Sequence, residues 1–432
     1  MTSSLFTREY KSEPFWWERS PLCSEPDPDL PSKADVVVIG SGYTGLCAAI
    51  QTARGGRHTV VIEANAIGSG CSSRNGGQIS TAIKPQYDEL RRKVGDHLAH
   101  DIIKEGHNSL KWIGEFINAE GLDCDFEVCG RFYAAHAPGQ FVTLAKSIEN
   151  PHKGLETDAF VVPKSEQHVE IDSPDYYGGV VYPRHAGLDP GAYHRGLLRL
   201  ARAAGVTVVG HCGATGISGA AGDFIVATSK APIRTRDIIV ATNGYTRALS
   251  PWHRRRIIPI GSYIIATEKL APDLIQRLIP TRRMINDTRK LVVYYRTDPA
   301  GERILFGARV SIAETDPTEA VPALHAELVT RFPNLVETQV SHAWMGFVGY
   351  TFDEMPHLGA RNGIYYSMGY CGSGVGLSSY FGTKIGQQVL GLKEGDSPLT
   401  QINFPTRPYY WGNPWFLAPA VRYYRWKDAR AQ

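Results

Sequence analysis

A glycine-rich turn near the N-terminus constrains the fold more than any other feature of this sequence. Residues 36–39 are a continuous apolar run, which is typical of a parallel strand buried on both faces of a sheet. Gly40, Gly42 and Gly45 follow at once in the G-x-G-x-x-G spacing. After them, apolar residues recur with the period of one helix face, at Leu46, Ala49, Ile50 and Ala53. The sequence therefore predicts a strand, a tight turn and a helix in that order.

A second apolar run at residues 59–62 ends in Glu63 and completes a βαβ unit of about thirty residues. Gly40 permits the tight turn, Gly42 lets the backbone approach a pyrophosphate, and Gly45 lets the helix pack on its strand. The helix N-terminus adds free N–H groups and a partial positive charge, and Glu63 stands where a ribose hydroxyl needs an acceptor. We therefore predict a dinucleotide site. The alternative is a plain glycine-rich turn with Glu63 solvated.

Composition and charge exclude several classes of function. A chain of 432 residues suggests about two to three domains, and a formal net charge of +3 gives no electrostatic case for nucleic acid. No stretch approaches the ~18 apolar residues of a membrane span, and the N-terminus has no apolar signal-peptide core. The seven cysteines are scattered without zinc-ligand spacing, so we expect a reduced, cytoplasmic protein with no metal site. Residues 1–33 are polar and proline-rich, which predicts an irregular N-terminal arm whose aromatic side chains pack on the body.

Three later segments could complete the nucleotide site. Residues 66–78 hold two glycine clusters and five small polar residues, which predicts a loop beside the first site whose backbone could follow an extended ligand. Residues 237–244 are another buried strand, which ends in small residues and has the character to pass under a diphosphate. Residues 363–376 are a strand and a glycine loop before a helix predicted at 377–390. One βαβ nucleotide site is already present, so we expect the N-terminus of this second helix to bind a different group. A flavin ring is a strong candidate, because it carries negative charge when reduced.

The remaining segments predict a second domain. Residues 86–120 repeat apolar positions at helical spacing, and residues 122–182 are mostly short β-like pieces. Residues 257–345 are long β-like runs interrupted by one helix at about 317–331. This block has strand content but no G-x-G loop, so we interpret it as a separate substrate domain.

The order of these motifs resembles that of the D-amino acid oxidase superfamily, whose members are FAD enzymes and include glycine and sarcosine oxidases. Within it the chain is most similar to the γ-glutamylputrescine oxidase group, through residues 43–46, 74–78 and 421–425. The resemblance implies an α/β fold with two domains. A Rossmann-like FAD-binding domain, with three layers and a mostly parallel sheet, would be interleaved with an α+β substrate domain on a large antiparallel or mixed sheet. The implied boundaries are 34–88, 183–250 and 346–432 for the FAD-binding domain, and 89–182 and 251–345 for the substrate domain.

The resemblance also implies which residues contact FAD. Glu63 is expected to hold the adenosine ribose and Ala214 to contact adenine through its backbone. Residues 71–78 would follow the diphosphate and the ring, and residues 372–376 would cover the pyrimidine end. The complete set of expected contacts is Gly40, Ser41, Gly42, Tyr43, Thr44, Gly45, Glu63, Ala64, Ser69, Gly70, Ser72, Ser73, Arg74, Asn75, Gly76, Gly77, Gln78, Ala214, Thr242, Asn243, Gly244, Gly372, Ser373, Gly374, Val375 and Gly376. Sarcosine oxidases bond their flavin through a cysteine that corresponds to Gly346 here, so we expect the FAD to be non-covalent.

Departures from the wider superfamily bear on the substrate. Val348 stands where glycine oxidase has an arginine that clamps the substrate carboxylate, and Gln78 and Gly376 replace a clamp arginine and a lysine of sarcosine oxidases. Losing a bidentate Arg–carboxylate contact removes the strongest handle for an α-amino acid. An amine without an α-carboxylate, such as a γ-glutamylated or other N-substituted diamine, is therefore favoured, unless Arg296 supplies the clamp. The pocket candidates are Tyr263, Tyr294, Tyr295, Arg296, Trp344 and Val348. For the tyrosines, the alternative is simple packing within the sheet.

The resulting prediction is an FAD-dependent amine oxidase of the kind used in polyamine catabolism. Hydride transfer from an amine C–H to flavin N5 would give an imine and then an aldehyde plus ammonia or an amine, while molecular oxygen would be reduced to hydrogen peroxide. Sarcosine oxidases speed the oxygen step with a lysine, and Leu305 stands in its place. A dehydrogenase that uses another electron acceptor therefore stays open, as does a flavoprotein that binds a ligand without turnover. The sequence gives no prediction of the oligomeric state.

Overall fold

The computed structural model describes residues 5–309 and 314–430, which form two large β-sheets with helices packed on them. The strands are β1 (Phe6–Lys11), β2 (Lys33–Ile39), β3 (Thr59–Ile62), β4 (Gln78–Ile79), β5 (Arg131–Ala134), β6 (Phe160–Val162), β7 (Gly179–Tyr182), β8 (Ala186–Gly187), β9 (Thr207–Val209), β10 (Ala214–Ala220), β11 (Asp223–Thr228), β12 (Ile233–Val240), β13 (Ile258–Thr267), β14 (Met284–Asp287), β15 (Tyr294–Thr297), β16 (Ile304–Ala308), β17 (Val340–Tyr350), β18 (His357–Arg361) and β19 (Ile364–Met368). The α-helices are α1 (Trp16–Arg19), α2 (Tyr43–Arg54), α3 (Tyr87–Val94), α4 (Asp96–Ala119), α5 (Pro138–Glu149), α6 (Pro190–Ala203), α7 (Pro251–Arg254), α8 (Pro272–Leu278), α9 (Pro317–Arg331), α10 (Gly374–Leu390) and α11 (Leu417–Arg430).

The eight-stranded sheet carries the predicted βαβ unit. Its strand order is β10-β11-β12-β2-β3-β9, with β19 beside the second half of β12 and β18 beside β19. The central strands β12, β2, β3 and β9 run parallel, as does β19. Their apolar runs are buried on both faces: one face packs against α2, α6 and α10, and the other packs against a second apolar cluster that includes Phe224 and Phe404. The continuous apolar runs of β2 and β3 thus fold as the two-sided parallel strands they predict.

The nine-stranded sheet has the order β1-β17-β13-β16-β15-β14-β5-β7-β6 and is mixed, because β1–β17 and β14–β5 are parallel pairs. Register fixes which side chains share a face of this sheet. Ile264 lies opposite both Trp344 and Gly307, and Gly307 lies opposite Tyr294, so these residues share one face. The intervening residues face the other way, into an apolar cluster with α9. The predicted α/β fold, with a largely parallel sheet and a second, mixed sheet, is confirmed.

The N-terminal arm differs from its prediction. Residues 1–33 were expected to be irregular, yet β1 extends the nine-stranded sheet by pairing with β17, and the short helix α1 follows it. Phe6 and Tyr10 pack their rings together at 4.6 Å and lie against the apolar cluster of that sheet. Three of the six residues of β1 are exposed and none is fully buried, so the apolar alternation typical of a strand is weak in this sequence.

One predicted helix is divided in two, and one strand crosses an expected domain boundary. The helix predicted at 86–120 is broken between α3 and α4 at Gly95, whose φ of +85° is accessible to glycine and costly for other residues. Helix α4, which lies in the expected substrate domain, packs its apolar face against α10, in the cluster that also holds α2. Strand β17 runs without a break through the boundary expected at 346. Within the described residues, no helix has the length and apolar character that a membrane crossing requires.

Candidate active site

The turn between β2 and α2 is packed so closely that side chains are excluded. Gly40 has φ +110°, and a Cβ on it would lie 2.9 Å from the carbonyl oxygen of Ala241 at the end of β12. A Cβ on Gly45 would lie 1.9 Å from the carbonyl oxygen of Gly40. The neighbouring strand and the turn itself therefore demand glycine at these positions, which leaves the N-terminus of α2 open above the carboxyl ends of the parallel strands. Gly42, at the N-cap of this helix, has no capping side chain.

The carboxylate of Glu63 lies beside this turn. Ser41 donates two hydrogen bonds to Glu63 Oε2, from its backbone N and from its Oγ, both at 2.9 Å. On the other side, His194 of α6 donates from Nε2 to the carbonyl oxygen of Ser41 at 2.7 Å, and its burial lowers the pKa of this histidine. Sequence reasoning missed His194, which lies within an ordinary amphipathic helix. Ala64 lies 3.4 Å from the Cβ position of Gly213, so the backbone before Ala214 passes next to Glu63, at the expected adenosine end.

The loop at 66–78 is held in shape by its own polar groups. Asn75 donates from its side-chain amide to the carbonyl oxygens of Cys71 and Ser72 at 3.2 and 3.0 Å, and its Oδ1 accepts from the backbone N of Gly77 at 2.8 Å. Ser72 Oγ accepts from the backbone N of Tyr43 at 3.0 Å, which joins the loop to the first turn of α2. The loop and the glycine turn therefore form one surface.

Three tryptophans fix the outside of this loop. Trp16 and Trp344, both fully buried, donate from Nε1 to the carbonyl oxygens of Asn75 and Arg74, at 2.8 and 2.6 Å. Trp17 donates from Nε1 to Ser73 Oγ at 2.9 Å, and the guanidinium of Arg74 lies 4.6 Å from the centroid of its ring. The N-terminal arm thus supports the loop. The sequence predicts the packing of these aromatic side chains but not their partners.

Residues 242–244 connect the glycine turn to the last loop before α10. The side-chain oxygen of Asn243 accepts from the backbone N of Gly369 at 2.9 Å, and Gly244 packs against Phe347 of β17. Helix α10 begins at Gly374 after Ser373, which makes no side-chain capping bond. Its start lies close to that of α2, since the hydroxyls of Thr44 and Tyr370 are 2.7 Å apart. The N-termini of α2 and α10 therefore lie close together, and neither receives a hydrogen bond from the side chain of its own N-cap residue, which suits negative charge.

The pocket candidates divide between the two faces of the nine-stranded sheet. Trp344 and Tyr294 face the loop at 66–78, where the ring of Tyr294 packs on Gly76 and its hydroxyl bonds Ser262 at 2.9 Å. Tyr263 and Tyr295 face away, into the apolar cluster under α9, where Tyr295 bonds Tyr176 at 3.0 Å. The structure therefore does not bring Tyr263 and Tyr295 together with the other candidates, because adjacent strand residues point to opposite faces.

Arg296 shares the face of Tyr294, but its guanidinium is already engaged. It donates to the carbonyl oxygens of Leu188, Thr297 and Gly77 at 3.1, 3.1 and 3.3 Å. Val348 lies opposite Ile260 and shares its face with Trp344 and Gly346. Sequence reasoning missed other side chains on this side of the sheet, namely Lys84, Arg131, Tyr133, Tyr182 and Tyr350, because they come from distant segments.

Gly346 lies against the thiol of Cys71. A Cβ at Gly346 would be 3.3 Å from Cys71 Sγ, so the sulfur of Cys71 lies near the place that a cysteine at 346 would fill. Burial raises the pKa of Cys71 to about 11, which keeps it a neutral thiol at pH 7. All seven cysteines are free.

Comparison with known proteins assigns the chain to a family. The family described as FAD dependent oxidoreductase (DAO) matches residues 35–388. The chain belongs to this family. FAD is accordingly the cofactor of this DAO-family protein, and the chain is an oxidoreductase.

Relatives of this DAO-family protein span nearly its whole length. It is 29% identical over 407 residues to the gamma-glutamylputrescine oxidoreductase of Escherichia coli, which covers 91% of this chain and 92% of that one. It is 30% identical over 383 residues to the probable oxidoreductase OrdL of Haemophilus influenzae, with 86% of each chain covered. Among solved structures, the glycine oxidase of Geobacillus kaustophilus has a TM-score of 0.69 at 16% identity, covering 88% of this chain and 99% of that one. The L-proline dehydrogenase of P. horikoshii has the same TM-score, 0.69, at 18% identity, with 90% and 99% covered. The solved structures show a shared fold.

Proposed function

We propose that FAD is held non-covalently between the N-termini of α2 and α10. Support comes from the turn at Gly40–Gly45, where close packing excludes side chains and so allows the backbone to approach a diphosphate. Glu63 would bind the adenosine ribose once a ribose hydroxyl replaces Ser41 as its donor. Residues 71–78 and 372–376 would line the flavin end. A set of backbone N–H donors with one carboxylate acceptor suits an anionic dinucleotide with a ribose.

We propose that the reaction is oxidation of an amine. The chemistry that bound FAD supplies is acceptance of a hydride from the carbon beside the amine nitrogen, and the imine product hydrolyses in water to an aldehyde and ammonia or a smaller amine. The task of the protein is to bind the neutral amine and to orient its C–H bond. Tyr294 and Val348 are partly exposed and present a largely apolar surface for this purpose, while the buried Trp344 lies behind the loop at 66–78. Burial raises the pKa of Tyr294, so its hydroxyl stays neutral and can donate or accept one hydrogen bond.

We infer an amine rather than a simple α-amino acid because Arg296 is already hydrogen-bonded to the backbone. The residue is buried, and its Nε and Nη1 donate to backbone carbonyl oxygens, so binding a substrate carboxylate through these two atoms would require breaking those bonds. Val348, in the place of a clamp arginine, offers no charge. The relative named gamma-glutamylputrescine oxidoreductase, similar over nine-tenths of the chain, suggests a γ-glutamylated diamine.

We propose molecular oxygen as the electron acceptor, with hydrogen peroxide as its product. The alternative is a dehydrogenase with another acceptor. It is favoured by Leu305, which is 2% exposed and packs with Phe15 and Trp344 where a lysine would be expected in a sarcosine oxidase. The fold shared with an L-proline dehydrogenase is compatible with this alternative.

An anaerobic experiment tests the proposal. The FAD-loaded protein is mixed under nitrogen with γ-glutamylputrescine, with putrescine, and with glycine and sarcosine, while the ~450 nm flavin band is followed. We expect bleaching by γ-glutamylputrescine. Admission of air should restore the band and release peroxide in equal amount. Slow recovery with no peroxide would favour the dehydrogenase, bleaching by glycine or sarcosine alone would refute the amine assignment, and no bleaching by any compound would favour a binding protein without turnover.

A further inference from the structure

Two basic side chains, Arg131 and Lys84, have no acidic partner; we call them the cation pair. The guanidinium of Arg131 lies between two aromatic rings, with its Cζ 5.4 Å from the ring centroid of Tyr133 and 5.2 Å from that of Tyr182. Its Nε is buried without a hydrogen-bond partner in the described part of the chain. Across residues 5–309 and 314–430, neither member of the pair forms an ion pair with a carboxylate.

Strand register places Arg131 on the side of the candidate active site. Phe132 and Ala134 of β5 face the apolar cluster under α9, so Arg131 and Tyr133 face the opposite side. Tyr133 lies opposite Asn286, and Asn286 lies opposite Tyr294. The face that carries Arg131 is therefore continuous with the face that carries Tyr294.

Lys84 belongs to another segment of the chain but approaches the same side of the sheet. It follows β4, and its Nζ is 5.9 Å from the ring centroid of Tyr350. Its charge also acts on Cys371, in the loop before α10, and on Tyr133. Burial raises the pKa of Tyr133, while the charges of Arg131 and Lys84 act in the opposite direction, and the Arg131 guanidinium lies 5.4 Å from the centroid of its ring. Glu354 also acts on Lys84 but is exposed and forms no ion pair with it in the described structure.

The charge of this space is uncompensated. His185 stacks on Tyr182 with ring centroids 4.8 Å apart, and burial together with the charge of Arg131 lowers the pKa of His185 to about 2, so it is neutral at pH 7. On the other face of the same sheet, buried arginines do have partners: Arg289 and Arg331 pair with Asp175 at 2.9 and 3.3 Å. A buried charge without a partner is costly, and an anionic ligand would relieve that cost.

We propose that the cation pair binds a carboxylate of the substrate, and that this carboxylate is remote from the reacting amine. This assignment rests on the proposed function. It makes the substrate an amine, such as an amide between a diamine and an amino acid, whose end far from the reacting nitrogen carries a carboxylate. The carboxylate is received beside Arg131, between the rings of Tyr133 and Tyr182, and the reacting amine lies farther along the same face of the sheet, toward Tyr294. Arg131 contributes fork-shaped donors suited to a carboxylate, and Lys84 adds a second charge.

The test uses two amines that differ only at the far end. Glutaryl-putrescine and N-pentanoylputrescine share the terminal amine, the amide and the chain length, but the first ends in a carboxylate and the second in a methyl group. The measured quantity is the second-order rate constant of anaerobic flavin reduction. We expect the FAD-loaded protein to prefer the carboxylate by about 10- to 100-fold, the size of one charge-assisted interaction. This preference should fall toward 1 in Arg131→Gln and in Lys84→Met and should survive in part in Arg131→Lys.

Arg184→Gln is the matched control, because Arg184 lies two residues after Tyr182 but is exposed and paired with Asp158. It should keep the preference of the unmodified protein. FAD content and melting temperature are measured for each variant. If Arg131→Gln fails to fold, Lys84→Met and Arg131→Lys still decide the outcome.

A binding measurement separates this proposal from the proposed function. Glutaric acid mono-butylamide has the carboxylate but no amine, and its affinity is measured by calorimetry. If it binds the unmodified protein at least 10-fold more tightly than Arg131→Gln while neither amine bleaches the flavin, the carboxylate site stands and amine oxidation is refuted. If both amines bleach the flavin equally well and the amide does not bind, amine oxidation stands and the carboxylate site is refuted.

Discussion

Replacement of Asn75 by aspartate should weaken FAD binding although the two side chains have the same shape. The amide of Asn75 donates to the carbonyl oxygens of Cys71 and Ser72 at 3.2 and 3.0 Å, and its Oδ1 accepts from Gly77 N at 2.8 Å. Aspartate keeps the acceptor but loses both donors and sets a negative charge against two carbonyl oxygens.

The magnitude follows from those two bonds. Each hydrogen bond contributes about 1 kcal/mol net, and the repulsion adds a similar amount, so the loop loses roughly 2–3 kcal/mol. If the loop orders as FAD binds, this loss corresponds to a dissociation constant roughly 30- to 150-fold higher. Part of the loss can instead appear in the stability of the protein, so both quantities are needed.

The assay is a titration of the apoprotein with FAD, followed by flavin fluorescence, together with urea unfolding of the FAD-loaded protein. Asn334→Asp is the control, since Asn334 is exposed and the substitution changes the net charge equally. If Asn75→Asp bound FAD within threefold of the unmodified protein and unfolded at the same urea concentration, Asn75 would not organise the loop as we infer.

Three further predictions follow from buried contacts. Trp16→Phe removes the donor to the Asn75 carbonyl oxygen and leaves a small cavity, so the unfolding free energy of the FAD-loaded protein in urea should fall by about 2–3 kcal/mol. Trp415→Phe, at a 63% exposed site, should change this free energy little. An equal loss in both variants would contradict the role of the arm. Gly45→Ala should yield protein without FAD, because the added Cβ has no room. Gly139→Ala should bind FAD normally, since no atom lies within 4 Å of the Cβ position there. A yellow Gly45→Ala protein would refute the packing argument. Burial and two neighbouring arginines lower the pKa of His253 to about 3. As the pH falls, the unfolded state therefore binds the proton before the folded state does. The stability that neutral His253 contributes to the folded state is complete above pH 6.5 and declines toward pH 3. Between pH 7.5 and 5, His253→Gln should therefore lose up to about 2 kcal/mol less unfolding free energy than the unmodified protein, and parallel pH profiles would contradict the assignment.

The βαβ unit could be predicted from sequence because its determinants are local. The strand, the three glycines, the helix and Glu63 lie within about thirty residues, and each residue type has a steric reason to be there. The late glycine loop before α10 was predictable for the same reason. Gly45 illustrates this best, since the packing that excludes a side chain involves Gly40, five residues away.

The substrate side could not be predicted, because it depends on which face of a strand points to the cofactor domain. Tyr294 and Tyr295 are adjacent in sequence, so in a strand their side chains point to opposite faces of the sheet. The sequence does not say which of the two faces the loop at 66–78. Register with the neighbouring strands settles this in favour of Tyr294. Arg131 and Lys84 lie 47 positions apart in the sequence, and their charges both act on Tyr133 through tertiary structure alone.

The central claim is that FAD binds this chain non-covalently at the N-terminal βαβ unit, and acid precipitation of the purified protein tests it most directly. The protein should be yellow with one FAD per chain, and acid should leave a white pellet while all the flavin stays in the supernatant as FAD. A protein that remains colourless when FAD is supplied would contradict the site. A yellow pellet would show a covalent bond, with Cys71 the first residue to replace, and would contradict the non-covalent assignment.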